Sequence, residues 1–148
     1  MAAKKSSYKH ILVAVDLSKQ SNVIVKRAAQ MAELFKAKLS IVHVTEHSTI
    51  AYAGEYALPI EAEFEVALIR QSEKKLSALA EKFKIPAKMR YLKEGSVKNT
   101  VTDLARKISA DLIVVGTHGH HGLDVLLGSQ ANAILHAANC DVWVIHIG

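Results

Sequence analysis

The residues most able to do chemistry lie between Asp111 and Gln130, in the run DLIVVGTHGHHGLDVLLGSQ. Gly116, Gly119 and Gly122 recur every third position, and a further glycine, Gly128, stands before Ser129. Glycines at such spacing let a backbone turn sharply and approach another group more closely than a Cβ would allow. Ala131, Leu135 and Ala138 then recur at helical spacing, so a helix is expected to start at or near Ser129, with Ser129 a suitable N-cap. The free N–H groups and positive dipole end of that helix would face whatever the glycine loop holds, which is the chemistry of a phosphate cradle. Three histidines, His118, His120 and His121, also stand here. Imidazole is a common ligand for zinc, copper and nickel, yet no cysteine or carboxylate partner stands at a recognisable ligand spacing, so no metal site is assigned.

A cradle needs elements to hold it. Leu112 to Val115 is a continuous apolar run without alternation, as in a strand buried on both faces of a parallel sheet. His10 to Val15 reads as a first buried strand, closed by Asp16-Leu17-Ser18, with Ser18 as the expected N-cap of a helix reaching about Lys36. Leu39 to Thr45 is the second strand. Phe64, Leu68, Ser72, Leu76, Leu79 and Phe83 trace the core stripe of a long second helix. Pro86 to Leu92 alternates as an edge strand would. Gly95-Ser96 caps a third helix with Val97, Val101, Leu104, Ala105 and Ile108 inward, and Asp141 to Ile147 is a fifth strand.

Strands alternating with helices across short connections imply an α/β fold: a doubly wound, five-stranded parallel sheet with helices on both faces, Rossmann-like in arrangement. Ligands of such sheets bind outside the carboxyl ends of the strands, where strand order reverses. That rule selects Asp16, Val44 with Thr45, and Gly116 to Gly119. The one long connection, His47 to Pro59, lacks a period and is of the kind that forms lids or binding loops.

At 148 residues, half of them apolar, the chain fits one domain, read as 8–148 behind a flexible tail of residues 1–7. The net charge of +5 is spread over several lysine pairs rather than gathered into a stripe, aromatics are few, and nucleic-acid binding is not expected. Cys140 is the only cysteine, so no internal disulfide can form, and a reducing cytoplasm is the expected setting, with the thiol buried and inert. No apolar run reaches transmembrane length, and no membrane role is expected. Val142 and Val144 on one side of the last strand, and Trp143, Ile145 and Ile147 on the other, would leave an apolar edge that a second copy could cover.

Taken together, YKHILVAVDLS at Tyr8 to Ser18, LSIVHV at Leu39 to Val44, EGSV at Glu94 to Val97 and ADLIVVGTHGHHGLDVLLGSQANAILHAANCDVWVI at Ala110 to Ile145 resemble the universal stress proteins over nearly the whole chain. The resemblance implies a homodimer through the C-terminal strand, Val142 to Ile147, and a role under stress or growth arrest. One branch of that family binds ATP through Gly, two residues, Gly, nine residues, then Gly with Ser or Thr. Gly116, Gly119, Gly128 and Ser129 match its fixed positions, but the second gap, His120 to Leu127, is eight residues. Carried over position by position, the resemblance implies adenine and ribose contacts at Asp16 and Val44, with Ala14 and Val15 beside them. It implies ribose and first-phosphate contacts at Val115, Gly116, His118 and Gly119, and outer-phosphate contacts at Gly128, Ser129 and Gln130. A divalent ion such as Mg would arrive with the nucleotide.

No Walker-type Gly-Lys-Ser or Gly-Lys-Thr is present, and no base stands placed to activate water, so the chain reads as a binding module with at most slow ATP hydrolysis. Two rivals remain: a nucleotide-free interaction module, in which the shortened gap closes the cradle, and nucleotidyl transfer. The last ranks lowest, because Asp16-Leu17-Ser18-Lys19 stands where such transferases carry an HxGH type of motif.

Overall fold

A computed structural model describes residues 7–46, 59–117 and 129–147. In chain order it contains β1 (His10–Val15), α1 (Ser21–Phe35), β2 (Lys38–Thr45), α2 (Pro59–Lys82), β3 (Arg90–Glu94), α3 (Val97–Lys107), β4 (Leu112–Gly116), α4 (Ser129–Ala137) and β5 (Asp141–Ile145). All pairings are parallel and the strand order is β3-β2-β1-β4-β5. The expected five-stranded, doubly wound α/β architecture is therefore present.

Alternation along β1 decides which helix packs where. Ile11, Val13 and Val15 face Ile24, Val25, Ala28 and Ala32 of α1 and Leu76, Leu79 and Ala80 of α2. Leu12 points to the opposite face with Val42, Val44, Ile113 and Val115, beneath α3 and Ala131 and Ile134 of α4. Strands buried on both sides need no polar alternation, which is why ILVAV and LIVV are uninterrupted. The starts of the strands are pinned together. The Asp111 carboxylate accepts the backbone N–H groups of Lys9 and His10 at 3.0–3.1 Å, and the Tyr8 hydroxyl donates to Asp141 at 2.7 Å.

Several boundaries differ from expectation. Ser18 is not the cap of α1: Gln20 stands there without a side-chain cap bond, and Ser18 instead belongs to a turn described below. Pro86 begins no strand, because Ala87–Met89 forms a single 3₁₀ turn and β3 starts at Arg90, at the sheet edge. α4 is described from Ser129, in line with a helix start at or near that residue, whereas β5 ends at Ile145 instead of Ile147. The stripe of α2 is buried only in its C-terminal half. Leu76 and Leu79 are buried, whereas Phe64 is 57% and Leu68 45% exposed, so the first turns of the helix stand away from the sheet. The cap of α3 is as expected, with the Ser96 side chain accepting from Asn99 N–H at 3.3 Å. Gly95 before it has φ +134°, a conformation open to glycine and strained for other residues. Cys140 is half-buried, and burial, with Asp141 and Asp111 nearby, pushes its thiol up from the ordinary value.

Candidate functional site at the carboxyl ends of the strands

Strand order reverses between β1 and β4, since β2 and β3 lie on one side of β1 and β4 and β5 on the other. The carboxyl ends of these two strands carry Asp16 and Gly116. In register, Ala14 pairs with Val42, Val15 with His43 and Gly116 with Ile145, which brings Ala14, Val15, Val44, Val115 and Gly116 to one end of the sheet. Val44 and Val115 are buried on the α3–α4 face, while Val15 is buried on the α1–α2 face. Ser129 and Gln130 open α4, which packs on the α3–α4 face. His118, Gly119 and Gly128 lie outside the described residues, as do His120, His121 and most of the His47–Pro59 connection. Among the described residues no three His, Cys, Asp or Glu side chains gather into a metal-sized group.

Asp16 is the best-organised polar group at this end. Its Oδ1 accepts the N–H of Ser18 at 2.9 Å and the hydroxyl of Ser21 at 3.2 Å, and Ser21 is only 1% exposed. Between them Leu17 adopts φ 64°, a left-handed conformation uncommon for a leucine, so the turn is held by its hydrogen bonds against local preference. His43 fixes the backbone just before. Its Nδ1 lies 2.8 Å from the Val15 carbonyl, which can only accept, so in the neutral ring Nδ1 carries the proton and Nε2 is left as an acceptor. Side chain and main chain of Asp16 are thus both set, and its Oδ2 has no partner among the described residues.

Gly116 is packed close by the molecule itself. A Cβ there would lie 2.6 Å from Cδ1 of Ile24 and 3.5 Å from Cγ1 of Ile147, so this glycine allows α1 and the C-terminal residues to close on the end of β4. Thr117 follows, buried, with its hydroxyl accepting the Ile147 N–H at 2.9 Å.

A cleft of about 570 Å³ opens beside this turn, lined by Asp16, Leu17, Ser18, His43, Leu68 and Lys75 among others. It exists because the first half of α2 stands off the sheet. A second hollow of similar size, about 560 Å³, is walled among the described residues by one face of α2 alone and brings no converging groups together. Ser21 and His43 escaped sequence reasoning for different reasons. Ser21 sits five positions after Asp16, a spacing that a closer reading of the turn could have flagged. The partner of His43 depends on the register of β1 against β2, which one strand's sequence does not reveal.

A profile described as the universal stress protein family matches residues 7–146. The chain belongs to the universal stress protein family. Universal stress protein A homolog 1 of Coxiella burnetii (strain RSA 493 / Nine Mile phase I) is 50% identical over 138 residues, spanning 93% of this chain and 96% of that protein. Universal stress protein A of Escherichia coli (strain K12) is 27% identical over 139 residues, with 94% of each chain covered. Among solved structures, the hypothetical protein MJ0577 superposes with a TM-score of 0.80 at 21% identity, covering 97% of this chain and 99% of that one. A universal stress protein solved in complex with cAMP superposes with a TM-score of 0.65 at 25% identity, covering 95% and 98%. The universal stress protein resemblance drawn from four stretches of sequence is thereby borne out, and so is the fold it implies. Among the described residues no helix is long and apolar enough to cross a membrane.

Proposed function

We propose that this universal stress protein binds ATP or a related adenine nucleotide in the crevice between the ends of β1 and β4, and uses the bound state to alter its contacts with partners in a cytoplasmic stress response. The observation that carries the reading is Asp16. It stands at the reversal point of the sheet, its main chain held by His43 and its Oδ1 held by Ser18 and Ser21, with Oδ2 left to accept from an amino or hydroxyl group of a ligand. Such preorganisation lowers the ordering cost that binding must overcome. The N-terminal amides of α4, at Ser129 and Gln130, suit the phosphates, and the remaining phosphate groups of the proposal, His118, Gly119 and Gly128, lie outside the described residues. Mg or a similar ion carried by the nucleotide would offset phosphate charge, and the protein acts as a binding module, hydrolysing ATP slowly at most.

The same reading includes a homodimer. β5 is a sheet edge whose Val142, Trp143 and Val144 are half-buried in the single chain, and pairing with its symmetry mate would satisfy the open hydrogen-bonding edge. Calorimetry with ATP, ADP and AMP, on wild type and on Asp16→Asn, tests the nucleotide. Saturable heat with wild type that weakens in the variant supports it, and absence of heat with all three favours a nucleotide-free interaction module, the reading to which the eight-residue gap between Gly119 and Gly128 points. Light scattering on wild type and Val144→Lys tests the dimer, with a dimer converted to monomer expected.

A further inference from the structure

The cleft beside the β1–α1 turn holds a set of groups that the crevice between β1 and β4 does not use. Three separate elements supply them: Lys19 from the turn, His43 from β2 and Lys75 from α2. Neither lysine forms an ion pair among the described residues. The one carboxylate in the lining, Asp16, already has Oδ1 engaged by Ser18 and Ser21, so two ammonium groups outweigh it. His43 lines the same cleft with Nδ1 committed to the Val15 carbonyl, which leaves Nε2 to deal with a ligand.

Position separates this cleft from the proposed nucleotide crevice. Val44 and Val115 are buried beneath α3 and α4, whereas the cleft lies between the turn and α2, on the other side of the sheet. Its origin is the departure of α2 from the core. Leu68, Ser72 and Lys75 lie along the side of α2 next to the buried Leu76 and Leu79 and line the cleft opposite the turn.

We propose that this cleft is a phosphate-binding subsite, in which Lys19 and Lys75 hold the anion and His43 Nε2 contacts a phosphate oxygen. The proton balance works in either ionisation state. Neutral His43 accepts the P–OH of a phosphate monoanion, and the protonated ring donates to a dianion. The phosphate comes from a separate phosphorylated small molecule, since a nucleotide in the crevice would direct its phosphates to α4 on the opposite face. Because the cleft is defined without the glycine loop, the subsite stands or falls apart from the ATP reading.

The experiment is a titration of the full-length protein with inorganic pyrophosphate, followed by calorimetry and by the imidazole NMR signals of His43. Wild type is expected to bind saturably with a shift of the His43 signals. Lys19→Ala with Lys75→Ala weakens binding about tenfold, the scale of two charge-assisted contacts at a partly exposed site. Lys19→Arg with Lys75→Arg restores most of it. His43→Asn keeps a donor for the Val15 carbonyl, removes the acceptor beyond it, and weakens pyrophosphate without lowering the melting temperature. If the double alanine variant loses ATP affinity in proportion, the cleft is no separate subsite and the proposal fails. If ATP affinity is unchanged and pyrophosphate binds alongside ATP, the ligand is a separate molecule. No saturable binding of pyrophosphate to wild type, or equal binding after loss of both lysines, overturns the subsite.

Discussion

Removing Asp16 in two ways separates its role in the turn from its role in binding. Asp16→Ala deletes the acceptor of both the Ser18 N–H at 2.9 Å and the Ser21 hydroxyl at 3.2 Å. Hydrogen bonds to a charged group are each worth about 1.5–3 kcal/mol, and the longer of these two belongs near the bottom of that range. Ser21 is 1% exposed, so its hydroxyl loses its acceptor without gaining water in return. A loss of about 3–4.5 kcal/mol follows. At roughly 2–4 °C per kcal/mol for a chain of this size, the melting temperature falls by roughly 6–18 °C. Asp16→Asn keeps an oxygen where Oδ1 stands, so both donors remain served by a neutral acceptor and the loss is smaller, about 1–2 kcal/mol. Urea unfolding with a common slope for the three proteins measures both values. Equal destabilisation by Asn and Ala would refute the reasoning, because charge rather than hydrogen bonding would then hold the turn. An alanine variant as stable as wild type would refute it from the other side. With the expected result, loss of ligand binding by the Asn variant cannot be blamed on unfolding.

Three further outcomes follow from the geometry. His10 is held neutral with Nδ1 donating to the Ile108 carbonyl at 3.1 Å and Nε2 accepting from the buried Ser40 hydroxyl at 2.7 Å. Burial lowers its pKa below 6.5, helped by Lys38 and opposed by the Ile108 carbonyl and Asp111. The unfolded chain therefore takes up a proton that the folded chain refuses. The stability that this site gives is whole above pH 6.5 and is lost as pH falls through 6.5 towards the lowered value. Unfolding free energies from about pH 8 to about pH 5 should fall more steeply for wild type than for His10→Gln. Gly116→Ala places a Cβ 2.6 Å from Cδ1 and 3.3 Å from Cγ1 of the buried Ile24, at a half-buried position, and should cost about 1–3 kcal/mol. Ile24→Val removes the obstructing atom, so the double variant should be more stable than the sum of the single losses requires. The Cys140 thiol, pushed up by burial, should react with iodoacetamide more slowly than an unstructured peptide thiol at the same pH, and faster once the chain is unfolded in urea.

Where residues are buried on both sides, the chain announced its structure plainly. ILVAV and LIVV can be little else than central strands, and the observed bounds of β1 and the start of β4 coincide with those runs. Ser96 was legible as a cap because its bond to Asn99 is local. Ser18 misled for the same local reason: a serine before a helix looks like a cap, but here a carboxylate two residues earlier takes its N–H and a left-handed Leu17 delays the helix to Ser21. Helical periodicity located α2 but not the exact direction of its inward face, so Phe64 and Leu68 read as core although both are exposed and Ile69 and Ser72 are the half-buried ones. The crevice residues Asp16 and Gly116 could be named from topology alone, whereas His43 and Lys75 enter only when three distant elements meet.

The sheet's order also bears on how the protein is made. β1 is its middle strand, yet its two neighbours are synthesised far apart, β2 from Lys38 and β4 only from Leu112. While a ribosome is still adding the intervening segment, β1, β2 and β3 can assemble as half a sheet with one flank of ILVAV unpaired. That flank carries unpaired backbone groups ready for strand addition, which leaves the half-built sheet open to mispairing until β4 arrives.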